Sequence, residues 1–213
     1  MKTLIGTVLL AISIPATSWA ESLQTPLNVL QRNWAEIQYR MTEQQQEDAF
    51  IQLLAKAQEA VQQHPNDANY LIWQGIIQSS TAGAKGGLGA LSLAKEARQS
   101  FEQAMEVNAN ALNGSAYTSL GVLYHKVPAW PIGFGSDKKS EKLLKQALEI
   151  NPDGIDSNYF YAEFLYDDKQ YAAAKAYLLK AQQAAPRPDR PLADQGRQKE
   201  IRSLLTKVNA RLS

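Results

Sequence analysis

The sequence predicts an all-α chain: a helical-repeat solenoid of about nine helices closed by a C-terminal capping helix. Three observations predict it. Ala, Leu and Gln are abundant and β-branched residues sparse, a composition that favours helices. Four helical patterns end on one phrase, with an alanine five residues before a proline or before the alanine that replaces it. The pairs are Ala60 and Pro65, Ala104 and Ala109, Ala147 and Pro152, and Ala181 and Pro186. The last interval, Pro152 to Pro186, spans 34 residues. A proline ends a helix because its ring cannot continue the hydrogen-bond ladder, and the Asn or Asp that follows can cap the next one.

The elements follow in order. Leu27–Tyr39 reads as a first helix and Thr42–Gln62 as its partner, with Thr42 and Gln45 spaced for a capping box. Ala68–Gln78, carrying Gly75, pairs with the helix of Ala97, Phe101 and Ala104 after about ten extra residues around Gly83–Gly89. That glycine-rich stretch is no phosphate loop: it follows a helix and lacks the Gly-Lys-Ser/Thr ending. Its glycines permit either close helix contact or a tight reversal, and a helix N-terminus near Lys85 could alternatively hold an anion. Asn113–Tyr124 is the first helix of the next pair, and Ser140 through Ala147 its partner.

Between those two lies the insertion Val127–Gly135, where Pro128 and Pro131 preset the backbone and Gly133 and Gly135 free it. Its Trp130 and Phe134 either lid a pocket and anchor a partner or fold back to plug the core. The pair Asn158–Pro186 is the most regular, with small residues Ala162 and Ala174 facing each other across a turn at Asp167-Asp168-Lys169. Pro191–Leu212 is a long amphipathic helix with Ile201, Leu204, Leu205 and Val208 on one face, suited to capping an array.

The N-terminus reads as a secretory signal. Lys2 precedes the uncharged run Leu4–Ile14, Pro15 breaks it, and Ser18-Trp19-Ala20 offers a cut after Ala20. The expected domains are therefore a signal peptide, residues 1–20, and a helical-repeat domain, residues 21–213, located in a periplasm. Residues 21–213 hold 21 basic and 21 acidic side chains. Such balance, without a basic run, argues against a nucleic-acid partner. The sequence has no cysteine, which removes disulfides, thiol catalysis and thiolate metal sites. It also leaves no residue for a lipid anchor, so a soluble product without a stable membrane anchor is expected. His64 and His125 each lack a second ligand at metal spacing, and no Ser/His/Asp set can be assembled. The reading implies no metal, no cofactor and no enzyme; Glu163 with His125 is the one acid–base pair worth testing.

The small residues Ala162 and Ala174 and the 34-residue interval from Pro152 to Pro186 resemble the tetratricopeptide pattern, in which small residues at two positions of the pair and a terminal proline recur at that period. Carrying that repeat register onto this chain places Asn69, Ile72, Ile76 and Ser79 on the concave side, then Thr118, Val122 and His125, then Tyr159, Glu163 and Tyr166. The set mixes apolar and hydrogen-bonding groups with little charge, unlike a lysine- and arginine-lined groove that clamps a carboxylate. Ile72, Ile76 and Val122 could equally pack against a neighbouring helix.

Tyr117–Tyr124, the loop Trp130–Gly135 and Asn151–Phe160 further resemble the periplasmic T component of TRAP transporters, and the same helix-pair pattern occurs in the regulator-of-microtubule-dynamics proteins. The transporter resemblance implies a protein partner, an extracytoplasmic solute-binding protein, and a hydrophobic ligand in a central groove. The characterised T component is lipid-anchored, and the lack of cysteine departs from it. The expected function is a non-enzymatic periplasmic adaptor, with carriage of a small apolar ligand as the alternative. Ile72, Ile76, Thr118, Val122, His125, Trp130, Phe134, Tyr159, Glu163 and Tyr166 are the candidate partner- or ligand-binding residues.

Overall fold

The computed structural model describes residues 25–213; the signal-peptide reading of residues 1–20 lies outside them. Nine α-helices follow one another among the described residues: α1 (Pro26–Arg40), α2 (Glu43–Gln63), α3 (Ala68–Lys85), α4 (Gly87–Asn108), α5 (Ala111–Lys126), α6 (Asp137–Ile150), α7 (Ile155–Asp167), α8 (Tyr171–Gln182) and α9 (Pro191–Leu212). They form four antiparallel pairs, α1/α2 to α7/α8, with α9 to follow. The all-α helical repeat predicted from the sequence is what the chain adopts. Thr42 and Gln45 make the capping box that starts α2.

The helices approach closely because one member of each contact has been stripped to a hydrogen or a methyl. A Cβ on Gly75 would sit 2.6 Å from the Phe101 ring, and one on Gly121 would sit 2.8 Å from Leu144. Ala162 and Ala174 are fully buried at the corresponding place in α7/α8. The alanines of the repeated phrase, Ala60, Ala104, Ala147 and Ala181, are all buried as well. Four apolar clusters result, the largest spanning α6 to α9. Packing of this kind fixes register: each large side chain has one seat, opposite a small one.

Both insertions resolve into definite structures. The residues around Gly83–Gly89 are not a long loop. They extend α3 to Lys85 and begin α4 at Gly87, and the chain reverses at Gly86 and Gly87, whose φ angles of 62° and 61° suit glycine. The loop Val127–Gly135 folds back on itself. Gly135 donates to the Pro128 carbonyl at 3.0 Å and Ser136 to that of Tyr124 at 2.8 Å, tying both ends of the loop to the C-terminus of α5.

A third irregularity had no counterpart in the sequence reading. The expected helix start at Asn113 is instead a left-handed turn, with φ of 47°, 54° and 75° at Leu112, Asn113 and Gly114. Regular helix resumes only beyond Gly114. Left-handed backbone at a γ-branched residue such as Leu112 costs about 1–3 kcal/mol, so the surrounding packing must impose it.

Helix α9 does more than cap the array. It packs on α8 and α7 and then reaches α1, so the two ends of the described chain meet. Gly196 makes that meeting possible: a Cβ there would lie 2.4 Å from the Tyr39 ring of α1. The solenoid is thereby bent into a closed ring. None of the described helices is long and apolar enough to cross a membrane.

Candidate functional site

Closure of the ring leaves a cleft of about 560 Å³ between α1, α3, α5, α7 and the segment that leads into α9. Its apolar wall is aromatic. Trp34 of α1 stands edge-on to Trp73 of α3, ring centroids 5.8 Å apart, and its indole nitrogen donates to the Ser80 hydroxyl at 2.8 Å. Ile76, Leu112 and Phe160 continue the wall, and the left-handed turn is what turns Leu112 and Asn113 toward it. Thr118, Ser119 and Ser115 supply hydroxyls from α5.

The opposite wall is charged: Arg187, Arg190 and Arg197 of the C-terminal segment stand among Asp153, Asp156 and Asp189. Arg187 Nη1 donates to Asp156 Oδ2 at 2.7 Å, while its Nε donates to Asp194 Oδ1 at 2.7 Å. Arg197 Nε donates to the other oxygen of Asp156 at 2.9 Å, and its Nη1 pairs with Glu200. The Arg197 guanidinium lies over Phe160 and Tyr159, at 4.3 and 4.5 Å from the ring centroids. Asp156 is thus the knot that ties α7 to both the linker and α9. Burial would raise its pKa, but Arg197, Arg187 and Arg190 outweigh burial and hold the carboxyl well below the usual carboxylate range. Burial also raises Tyr39, to about 12, against the opposing pull of Arg197.

Arg190 differs from its neighbours. Its guanidinium lies over the Trp73 ring at 5.0 Å, and it makes no ion pair among the described residues. Its Nε is buried without a hydrogen-bond partner. Burial, and then repulsion from Arg187, lower its pKa despite Asp156, Asp194 and Asp189 nearby.

The residues singled out from sequence scatter across this geometry. Ile76 and Thr118 line the cleft, and Tyr159 backs it through Arg197. Ile72 is fully buried in an apolar cluster with Ala104 and Ala116, so of the two readings given for it, packing holds. Val122 and Tyr166 are half-buried against the α6–α9 core, Tyr166 tilted on Tyr171.

His125 and Glu163 are held elsewhere. The two ring nitrogens of His125 lie 2.8 Å from Asp137 and 2.9 Å from Asp167, and an imidazolium can donate to both. Glu163 pairs with Lys126 at 3.4 Å. Neither lines the cleft, so they do not converge there as an acid–base pair. They instead bind α5 to α7, Glu163 through Lys126 and His125 through Asp167, whose pKa, raised by burial, is brought down further by His125 and Lys126.

The two loop aromatics part company. Phe134 plugs the core edge-on to Tyr124 at 5.6 Å and beneath the Arg98 guanidinium at 4.7 Å. Trp130 is 85% exposed, with Ile132 beside it at 71%. Neither Trp130 nor Phe134 lines the cleft.

The repeat residues named from the register carry little charge, and the three arginines that line the cleft are not among them. They stand outside the repeats, in the linker and α9, so no repeat register could have placed them. The legible signal was the run Arg187, Arg190 and Arg197 between a terminal proline and the last helix. The two tryptophans of the opposite wall were equally open to notice.

No protein-family model matches the chain, and neither does any curated protein. Among solved structures it is similar to a thermophilic tetratricopeptide-repeat protein of Thermus thermophilus, with a TM-score of 0.63 and 18% identity over 90% of this chain and 84% of that one. The likeness establishes the tetratricopeptide-type fold.

Proposed function

We propose that the chain is a non-enzymatic, exported binding protein: an adaptor of the tetratricopeptide type that recognises its partner or ligand at the cleft enclosed by α9. The observation that carries this reading is the cleft itself. Its volume of about 560 Å³ falls within the range of small-molecule sites and of pockets that take a few side chains. Helix α9 packs on α1, α7 and α8 and closes one side of the cleft. Export rests on the signal-like residues 1–20, and a periplasmic partner such as an extracytoplasmic solute-binding protein on the resemblance of Tyr117–Tyr124 and Asn151–Phe160 to a transporter component.

A second reading, carriage of a small ligand, is favoured by the half-buried Trp34, Leu112 and Phe160 on the cleft wall. Two measurements on protein purified from its native compartment separate them. Affinity capture recovers a discrete protein if the adaptor reading is right, and native mass spectrometry shows added mass if the carrier reading is right. Ser119→Trp, which fills the cleft from a half-buried wall position, should abolish either result. Retention of both partner and ligand by that variant would remove the cleft as the site.

A further inference from the structure

We infer that the cleft takes a small organic anion, its acidic group on the Arg190 guanidinium and its apolar body against Trp34, Ile76 and Leu112. The inference rests on the binding role proposed for the cleft and names the ligand class.

Arg187 and Arg197 are satisfied by three carboxylates, Asp156, Asp194 and Glu200. Asp153, also at the cleft, pairs with Lys180 at 3.2 Å. Asp189 is exposed and makes no ion pair with Arg190. Arg190 has Asp156, Asp194 and Asp189 near it but no carboxylate within ion-pair distance, and its Nε is buried without a hydrogen-bond partner; leaving a buried donor unpaired is costly. Stacking on Trp73 occupies its face and offsets part of that cost. It leaves the edge of the fork for an acceptor, and a planar guanidinium edge meets a carboxylate through two parallel hydrogen bonds.

The ligand's other end is equally constrained. Trp34, Ile76 and Leu112 are half-buried on the cleft wall, with Trp73 buried behind them edge-on to Trp34. A wholly charged ion would leave this surface unused. A wholly apolar molecule would leave Arg190 desolvated and unpaired. An acid with a flat or aliphatic body answers both, and the cleft is of the size such ligands need.

The test compares isosteres. Isothermal titration of the full secreted chain with 2-naphthoate and with 2-naphthamide should show the acid binding about tenfold tighter, as a charge-assisted hydrogen bond predicts. Arg190→Gln should bring the two ligands within about twofold of each other, while Arg190→Lys, which keeps the charge but loses the fork, retains part of the preference. Asp189→Asn should leave the preference unchanged or enlarge it. Melting temperature and circular dichroism of each variant confirm that it is folded. Equal binding of acid and amide, or an acid preference that survives Arg190→Gln, overturns the anion assignment and leaves the cleft a neutral pocket. Failure of both probes to bind also overturns it, while the binding role stands or falls separately on partner capture and native mass.

Discussion

The four helix pairs and the closure of the ring are built from the same kind of helix but differ in how much charge holds them. Inside the pairs, a large apolar side chain sits against a glycine or alanine: Phe101 on Gly75, Leu144 on Gly121. At the closure, Tyr39 on Gly196 is joined by a half-buried network in which Asp156 of α7 holds Arg187 and Arg197 and so seats α9. Apolar packing is indifferent to pH and salt. An ion-pair network can be opened by either. The molecule thus combines a rigid ring wall with a seam whose stability is set in part by charge.

The comparison breaks most sharply at Phe101, which is fully buried against Gly75. Phe101→Ala should cost about 3–5 kcal/mol, the range for emptying an aromatic seat in a core. Denaturant titration followed by circular dichroism measures it, and the loss of helix should be global. A loss below about 1 kcal/mol would mean that the α3/α4 seam relaxes freely and that the wall is not rigid.

Asp156→Asn should behave differently. Removing one partner of a buried pair strands the others, at a cost of about 3 kcal/mol where burial is complete and less here, where Asp156 is partly exposed. Helix content should persist while α9 parts from α1, so that the radius of gyration rises and Trp34 emission shifts to the red. The pH dependence has a definite sign. The folded-state pKa of Asp156 is depressed, so its stabilisation is present above the unfolded value of about 3.9 and is lost as pH falls below that range. Wild-type closure should therefore be constant from pH 7 to 5 and weaken beneath pH 4, and Asp156→Asn should flatten the acid limb. An unchanged acid limb would assign closure to some other group.

Tyr39 tests the same seam from the alkaline side. Its pKa is raised to about 12, chiefly by burial. A raised pKa stabilises the fold below the unfolded value of about 10, and that contribution is lost as pH climbs toward 12. Tyr39→Phe should remove part of the alkaline slope in melting temperature between pH 10 and 12 with a modest change at pH 7. Gly196→Ala, which sets a methyl on the Tyr39 ring, should weaken closure without altering that slope, and small-angle scattering distinguishes the two.

How much of this was legible in the sequence follows from where each contact lies. The helix pairs were readable because their contacts recur at fixed spacing: Ala147, Ala162, Ala174 and Ala181 announce themselves by position, and all four are buried. The candidate site was readable only in part, through Ile76 and Thr118. Its other half joins residues more than a hundred positions apart, Trp34 and Trp73 with Arg190 and Arg197, and no local period encodes the ring closure that unites them. Leu112 escaped for another reason. Its left-handed backbone runs against the local preference of the residue, and is imposed by packing around Gly114, where a Cβ would press on Ile150. His125 was legible as a helix-end residue but its two carboxylate partners were not, because Asp167 reaches it from the next pair.

The smallest expected effect on stability lies outside both regions. Trp130 and Ile132 stand exposed on a loop whose ends are hydrogen-bonded to α5, while Phe134 carries the loop's packing. Trp130→Ser should therefore change unfolding free energy by no more than about 0.5 kcal/mol, as surface substitutions do. Phe134→Ser should cost several times that, because it empties a seat beside Tyr124 and Arg98. The informative readout is partner capture rather than melting. If the adaptor's partner reaches beyond the cleft onto this loop, Trp130→Ser loses capture at full stability. If capture is retained, recognition is confined to the cleft, and the exposed tryptophan serves neither the wall nor the seam.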